Sequence, residues 1–381
     1  MNKNEKYNAA VSSSSTGGGW EEAVLLLQQL ISIPSFSKEE DKTADAIENF
    51  LQSKNIATNR LLNNVWCTNK FFDESKPTVL LNSHHDTVKP NKQYTRNPFE
   101  PTIEDGKLFG LGSNDAGGCL VSLIATFIHF HHQQNLKYNL VLAATAEEEV
   151  SGKNGIEKLL KEESFLSATG FLNSPLGDGG SCCAIVGEPT LMNMAVAEKG
   201  LLVLDCTAHG KAGHAAREEG DNAIYKAIKD IEWLKNYSFD KVSGLLGPNK
   251  MSVTIINAGS QHNVVPSECK FTVDIRVNEL YDFDEVLSII KQNIQSEIAP
   301  RSLRLRSTNI SFEHPLVKAG IELGKNYYGS PTTSDKALMP FPALKIGPGD
   351  SARSHSADEF IFVDEIKQGI ELYIQLLNKV I

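Results

Sequence analysis

The chain of 381 residues is 41% hydrophobic and 22% charged, with a formal net charge of −10. This length and apolar content suffice for two domains, each with its own core. An acidic chain without lysine or arginine clusters excludes nucleic acid and an anionic membrane as partners, since both need concentrated positive charge. No apolar run reaches the roughly 18 residues that span a bilayer.

In chain order, residues 1–19 (MNKNEKYNAAVSSSSTGGG) lack the apolar core of a signal peptide and read as a flexible polar tail. Apolar residues recur at helical spacing over 21–31 and 39–53, and Pro34 forces a break between them. After Pro77 the run Val79, Leu80, Leu81 reads as a buried strand, and helix-like and strand-like stretches then alternate to residue 172. That alternation predicts an α/β fold with a doubly wound, mostly parallel sheet. Glycines over 177–180 mark a loop. Beyond Glu188 the order is strand 194–209, helix 222–234, strands 252–257 and 268–277, helix 283–294 and a closing strand 303–306. This is the βαββαβ order of a split ferredoxin-like unit. The organisation is therefore a first domain over 20–190 and 307–381, interrupted by an inserted unit over 191–306. Six cysteines without CxxC spacing read as reduced thiols of a cytoplasmic protein.

The chemistry gathers where apolar runs end. TVLLNSHHDTV finishes in His84, His85 and Asp86. His84 and Asp86 lie two apart, so on an extended backbone they share a face, which suits a metal ligand and the carboxylate that orients it. A pair of solvated polar residues in a turn is the plain alternative. Asp115 opens a helix-like stretch over 119–130, the run 140–145 empties into Glu147, Glu148 and Glu149, and the run 184–187 into Glu188. The run 343–346 leads through Gly347, Pro348 and Gly349 to His355. Helix capping accounts for one or two such carboxylates, but not for this many together with two histidines. A nitrogen and oxygen donor set without thiolate suits paired divalent metals and a hydrolytic centre. One carboxylate must stay off the metal to take a proton from water, and spacing alone leaves Glu147, Glu148 and Glu149 open for that role. A dinucleotide-binding GxGxxG is excluded because Asp115 stands in the place of its third glycine, and no GxSxG elbow supports a catalytic serine.

SHHDTV, GLGSNDAGG, TAEEE, VGEPT, GKAGHAA, NVVPSE with DIR, and GPGDSARSH together resemble, in order and spacing, the motifs of the dinuclear zinc metallopeptidases and deacylases. That family includes acetylornithine deacetylase, succinyl-diaminopimelate desuccinylase, aminoacylase and glutamate carboxypeptidase, and the resemblance runs from about Trp20 to the C-terminus. It implies that Asp115 bridges two divalent ions, zinc with cobalt able to substitute, with His84 and Glu188 completing one site and Glu149 and His355 the other. It implies that Glu148 is the general base, that Asp86 is the carboxylate behind His84, and that the peptide bond after Asp115 is cis. The inserted unit then resembles a lid and dimerisation domain of a homodimer. His214 would donate to the oxyanion, while Asn263 and Arg276 would hold the substrate carboxylate. A surface-loop histidine and a structural ion pair are the plain alternatives for His214 and Arg276. The chain departs from the family where Asp115 is followed by Ala116, Gly117 and Gly118 without the usual lysine, and at His85, which becomes a spare candidate ligand. The activity implied is hydrolysis of an N-acyl amino acid, first of all N-acetylornithine in arginine biosynthesis. Desuccinylases of diaminopimelate, ornithine or citrulline and a general aminoacylase or carboxypeptidase are the enzymatic alternatives, and a structural metal-binding module is the non-enzymatic one.

Overall fold

The computed structural model describes residues 19–171 and 182–381. Almost all of the expected N-terminal tail and the expected loop at 177–180 therefore lie outside the described residues. The described chain forms two compact units, one of residues 19–195, 310–327 and 334–381, the other of 196–309 and 328–333. The short piece 328–333, which the sequence places in the first domain, groups with the second unit.

Helix α1 (Trp20–Ile31) buries one stripe, including Val24, Leu27 and Ile31, and α2 (Asp41–Ser53) buries Ala44, Ile47 and Leu51. The sheet of the first unit begins with β1 (Asn59–Leu61) and β2 (Asn64–Thr68), joined by a two-residue turn and so antiparallel. Strand β3 (Thr78–His84) follows, and every residue in it is buried, as expected of a strand covered on both faces. Helix α3 (Gly118–His131) leads to β4 (Asn139–Thr145), and the chain then reaches β5 (Cys183–Val186). Strand β6 (Met194–Glu198) straddles the boundary between the units.

The second unit runs β7 (Gly200–His209), α4 (Ala223–Asn236), β8 (Lys250–Ala258), β9 (Glu268–Val277), α5 (Phe283–Asn293) and β10 (Glu297–Pro300). Its sheet is antiparallel in the order β8-β9-β7-β10, which is the split βαββαβ arrangement. Alternate residues of β7 and β9, among them Leu202, Leu204, Phe271, Val273 and Ile275, form one core with Ala227, Leu234, Val286 and Ile290 of its two helices. The chain returns through α6 (Pro315–Glu322) and β11 (Ala343–Lys345) to end in α7 (Val363–Val380).

In the first unit the strand order is β1-β2-β4-β3-β5-β11. Leu80, Val141, Ala184 and Ala343 share one face with Leu159 and Phe165 of two short helices. Val79 and Leu81 turn to the opposite face, where α3 packs and is itself covered by α1 and α7.

Three expectations need correction. The sheet is mixed rather than mostly parallel: β3 is parallel to both β4 and β5, and β11 to β5, whereas β1, β2 and β6 run antiparallel to their neighbours. A two-residue turn such as that before β2 cannot supply the crossover a parallel pair requires. The single strand expected over 194–209 is two strands in different sheets, parted at Lys199. Gly200 permits the switch, because a Cβ there would lie 2.7 Å from the Ser307 nitrogen. The closing strand is β10, not residues 303–306. Pro300 argues against a strand in the sequence, but β10 pairs only through β7 at the sheet edge, where a missing N–H donor is tolerated. Among the described residues no helix is long and apolar enough to cross a membrane, and the six cysteines are buried without a disulfide.

Candidate active site

The site lies at the carboxyl ends of the parallel strands of the first unit, where open α/β sheets gather loops. His84 ends β3 and is 1% exposed. Its Nδ1 contacts the backbone oxygen of Asp86 at 3.0 Å, which requires a proton on Nδ1, so in the neutral ring a metal would take the lone pair of Nε2. Nε2 is buried and makes no hydrogen bond among the described residues. Burial alone would push this imidazole down, but the Asp115 and Asp86 carboxylates outweigh it and hold His84 well above the usual histidine range.

The Asp86 carboxylate does more than stand behind His84. Its Oδ1 accepts from the Glu148 N–H at 3.0 Å, and its Oδ2 from the Glu149 N–H at 3.2 Å and the Ser37 hydroxyl at 2.7 Å. It thereby fastens the glutamate turn after β4 to the end of β3. Within that turn the three glutamates separate. Glu147 adopts a left-handed conformation, donates its N–H to Glu40 and accepts from Asn154, so its carboxylate serves the loop. Glu148 and Glu149 open a short 3-10 turn. Glu149 Oε2 lies 3.0 Å from His355 Nε2, and Glu148 Oε2 lies 3.9 Å from His84 Nε2. Burial, with Glu188 and Asp335 nearby, raises the Glu148 carboxyl well above the usual range despite the opposing charge of His84.

Asp115 reaches both histidines, Oδ1 at 3.4 Å from His84 Nε2 and Oδ2 at 3.6 Å from His355 Nε2. The peptide bond from Asp115 to Ala116 is cis, as the resemblance implied. Gly117 and Gly118 allow the tight approach to α3, since a Cβ would meet the Gly112 oxygen at 2.4 Å in one case and Ile361 Cδ1 at 2.3 Å in the other. Glu188, just after β5, places Oε1 at 3.9 Å from His84 Nε2. His355 is the most exposed of the group, with 56% of its side chain open, and Glu149 beside it raises its pKa to about 9.

Two triads result, His84/Asp115/Glu188 and Asp115/Glu149/His355, each with ligand atoms within 4.8 Å of one another and sharing Asp115. The donors are imidazole and carboxylate, one ligand nitrogen is buried without a hydrogen-bond partner, and carboxylates outnumber histidines. This set fits a pair of divalent cations. His85 takes no part. Its Nδ1 meets Thr43 Oγ1 and its Nε2 the Asn63 backbone oxygen, both at 2.9 Å, and burial pushes its pKa down to about 4. The spare-ligand expectation is therefore corrected, because both ring nitrogens are spoken for.

His214, Asn263 and Arg276 all belong to the second unit. Gly213–His214 pairs with Val264–Val265, and the Ala215 N–H donates to the Asn263 oxygen at 3.0 Å, so His214 and Asn263 share one small ribbon. His214 is exposed and its Nδ1 accepts from the Ala216 N–H. Arg276, the penultimate residue of β9, has both sides of its fork on Asp274, at 2.8 and 3.0 Å. Sequence reasoning missed two buried acids near the triads. Asp335 accepts from Thr145 Oγ1 at 2.9 Å, and burial pushes its pKa up to about 6. Glu359 accepts from three backbone N–H groups, and burial and the Asp115 charge push its pKa to about 8. An acid directly before the apolar FIF strand was the available signal for Glu359.

The profile of peptidase family M20/M25/M40 matches residues 80–379. The chain is 26% identical over 383 aligned residues to an acetylornithine deacetylase of Buchnera aphidicola, covering 92% of this chain and 96% of the relative. It is also 26% identical over 369 residues to a succinyl-diaminopimelate desuccinylase of Corynebacterium glutamicum, covering 92% and 95%. Its fold is similar to the crystal structure of Sso-CP2, an M20 family metallo-carboxypeptidase from Sulfolobus solfataricus, with a TM-score of 0.74 at 18% identity over 93% of this chain and 98% of that one. With the family profile spanning most of its length, the chain belongs to peptidase family M20/M25/M40, a family of metal-dependent hydrolases.

Proposed function

We propose that this protein is a two-metal amidohydrolase that removes the acyl group from an N-acyl amino acid, with N-acetylornithine as the leading substrate. The observation that carries the reading is Glu148: it lies beside both triads, belongs to neither, and is held in the folded site with a raised proton affinity. The chemistry that paired zinc or cobalt ions supply is Lewis acidity, which acidifies water and polarises a carbonyl. Asp115, His84 and Glu188 on one side and Asp115, Glu149 and His355 on the other are the donors assigned to them. Glu148 takes the proton of the attacking water and returns it to the departing amine. Asp86 keeps Glu148 aimed through the backbone of its turn. His214 donates to the developing oxyanion, and Arg276 with Asn263 binds the substrate carboxylate, Arg276 exchanging Asp274 for a ligand that fills the same fork.

The second unit is assigned the role of a lid that pairs two chains. Support comes from β8, which is an edge strand among the described residues, and from exposed Ile255, Ile256, Tyr225 and Ile228 in β8 and α4. Acetyl selectivity draws on the deacetylase among the relatives and succinyl selectivity on the desuccinylase, so substrate choice needs a direct assay. Acetyl and succinyl forms of ornithine, citrulline and diaminopimelate are to be compared with zinc and with cobalt, expecting the highest kcat/KM on N-acetylornithine. A higher value on a succinyl substrate replaces the acyl group in this reading. If every amide, including peptides with a free carboxylate, survives while chelation unfolds the chain, the enzyme reading fails and a structural metal module takes its place.

A further inference from the structure

The loops that carry Asp115 and His355 are more than two hundred residues apart in sequence, and both are held by the same two side chains. Asn114, fully buried, pairs its amide with the backbone of Asp350: Oδ1 accepts from the Asp350 N–H at 3.1 Å and Nδ2 donates to the Asp350 oxygen at 3.0 Å. Nδ2 also reaches Ser354 Oγ at 3.4 Å, next to His355. Glu359 works in the opposite direction. Its Oε1 accepts from the Asn114 and Asp115 N–H groups, each at 2.9 Å, and its Oε2 from the Gly112 N–H at 3.1 Å. A carboxyl group whose two oxygens accept from three converging backbone N–H groups fixes the loop, because releasing it would leave those buried donors unpaired. The 349–350 turn also binds the segment after Glu188, through the Leu191 N–H on the Gly349 oxygen at 2.7 Å and a bridge between Thr190 and Asp350. Gly349 has φ +86°, and a Cβ there would strike Asn114 Oδ1 at 2.5 Å, so the turn is shaped around this amide.

We propose that Asn114 and Glu359 are positioning residues that clamp the Asp115 loop to the His355 loop and so create the Asp115/Glu149/His355 metal site. A primary amide suits position 114 because it offers a donor and an acceptor side by side, matching the N–H and C=O of one backbone residue. The clamp acts unequally on the two triads. His84 is delivered by a buried central strand and held by Asp86, whereas His355 is half exposed on a loop whose register depends on Asn114. Loosening the clamp therefore releases one metal and spares the other.

The inference rests on the two-metal reading of the triads, so the test counts metal rather than turnover. Wild-type protein, Asn114→Ala and Glu359→Gln are dialysed against buffered Zn²⁺ and, separately, Co²⁺, with metal per chain and the cobalt visible spectrum recorded, and thermal midpoints measured after chelation. Glu359→Gln preserves volume and one acceptor oxygen, and it decides the matter if Asn114→Ala does not fold. The expected result is two metals per wild-type chain and one tightly held metal in each variant, the second weakened at least tenfold, with the metal-free midpoints of folded variants near wild type. Variants that hold both metals as tightly as wild type overturn the clamp, and so does parallel weakening of both sites, which marks a general structural role. A wild-type chain that takes up no metal overturns the reading of the triads, and the clamp with it.

Discussion

His85 offers a quantitative test of how this site is divided between metal binding and architecture. Its ring is enclosed, with Nε2 donating to the Asn63 oxygen and Nδ1 facing Thr43 Oγ1, and burial holds its pKa at about 4 against an ordinary 6.5. The folded state therefore keeps His85 neutral where the unfolded chain would protonate it. Each unit of pKa displacement corresponds to about 1.4 kcal/mol, so this one residue contributes roughly 3 kcal/mol to stability above pH 6.5, lost progressively as pH falls from 6.5 toward 4. The sign follows from proton count: over that window the unfolded state binds the extra proton, so stability rises with pH. His85→Gln removes the titration while leaving an amide able to donate or accept. Urea unfolding of both proteins at steps from pH 7.5 to 4.5 should give curves that converge as pH falls, the wild-type advantage shrinking by about 3 kcal/mol over the full titration, because other acid-sensitive groups are common to both. Two metals per chain should remain bound at neutral pH. Parallel pH profiles, or loss of one metal in the variant, would refute the assignment of His85 as an architectural residue.

Three further outcomes test the chemistry. Glu148→Gln should retain both metals while turnover falls by about 10²- to 10⁴-fold; if Glu147→Gln has that effect instead, the base lies one residue earlier. Chelation should abolish activity and Zn²⁺ or Co²⁺ restore it, and His84→Ala or His355→Ala should each cost one metal, an unchanged count in either variant defeating that ligand. Mixing inactive Glu148→Gln chains with inactive His214→Ala chains should regenerate activity if His214 serves a partner's site, whereas no recovery after confirmed subunit exchange assigns it no role across an interface.

Local pattern carried a large share of the fold and site because burial along a strand or helix is written into nearest neighbours. The run before His84 is apolar because β3 is covered on both faces, and the acids follow β4 and β5 because parallel strands deliver their ends to one edge. Periodicity likewise marked the βαββαβ order of the second unit, though it misplaced the closing strand, where Pro300 at a sheet edge defied the strand signal. Long-range contact decided what pattern could not. Three consecutive glutamates have the same local chemistry, and they part company only because Asn154 and Glu40 engage Glu147, Asp86 holds the backbone of Glu148 and Glu149, and His355 arrives beside Glu149. His85 looks like a ligand beside His84 until Thr43 and Asn63 close on both its nitrogens. Asn114 and Glu359 carry no periodic signal, because what they hold is defined by residues brought together only when the two ends of the first unit meet around α3.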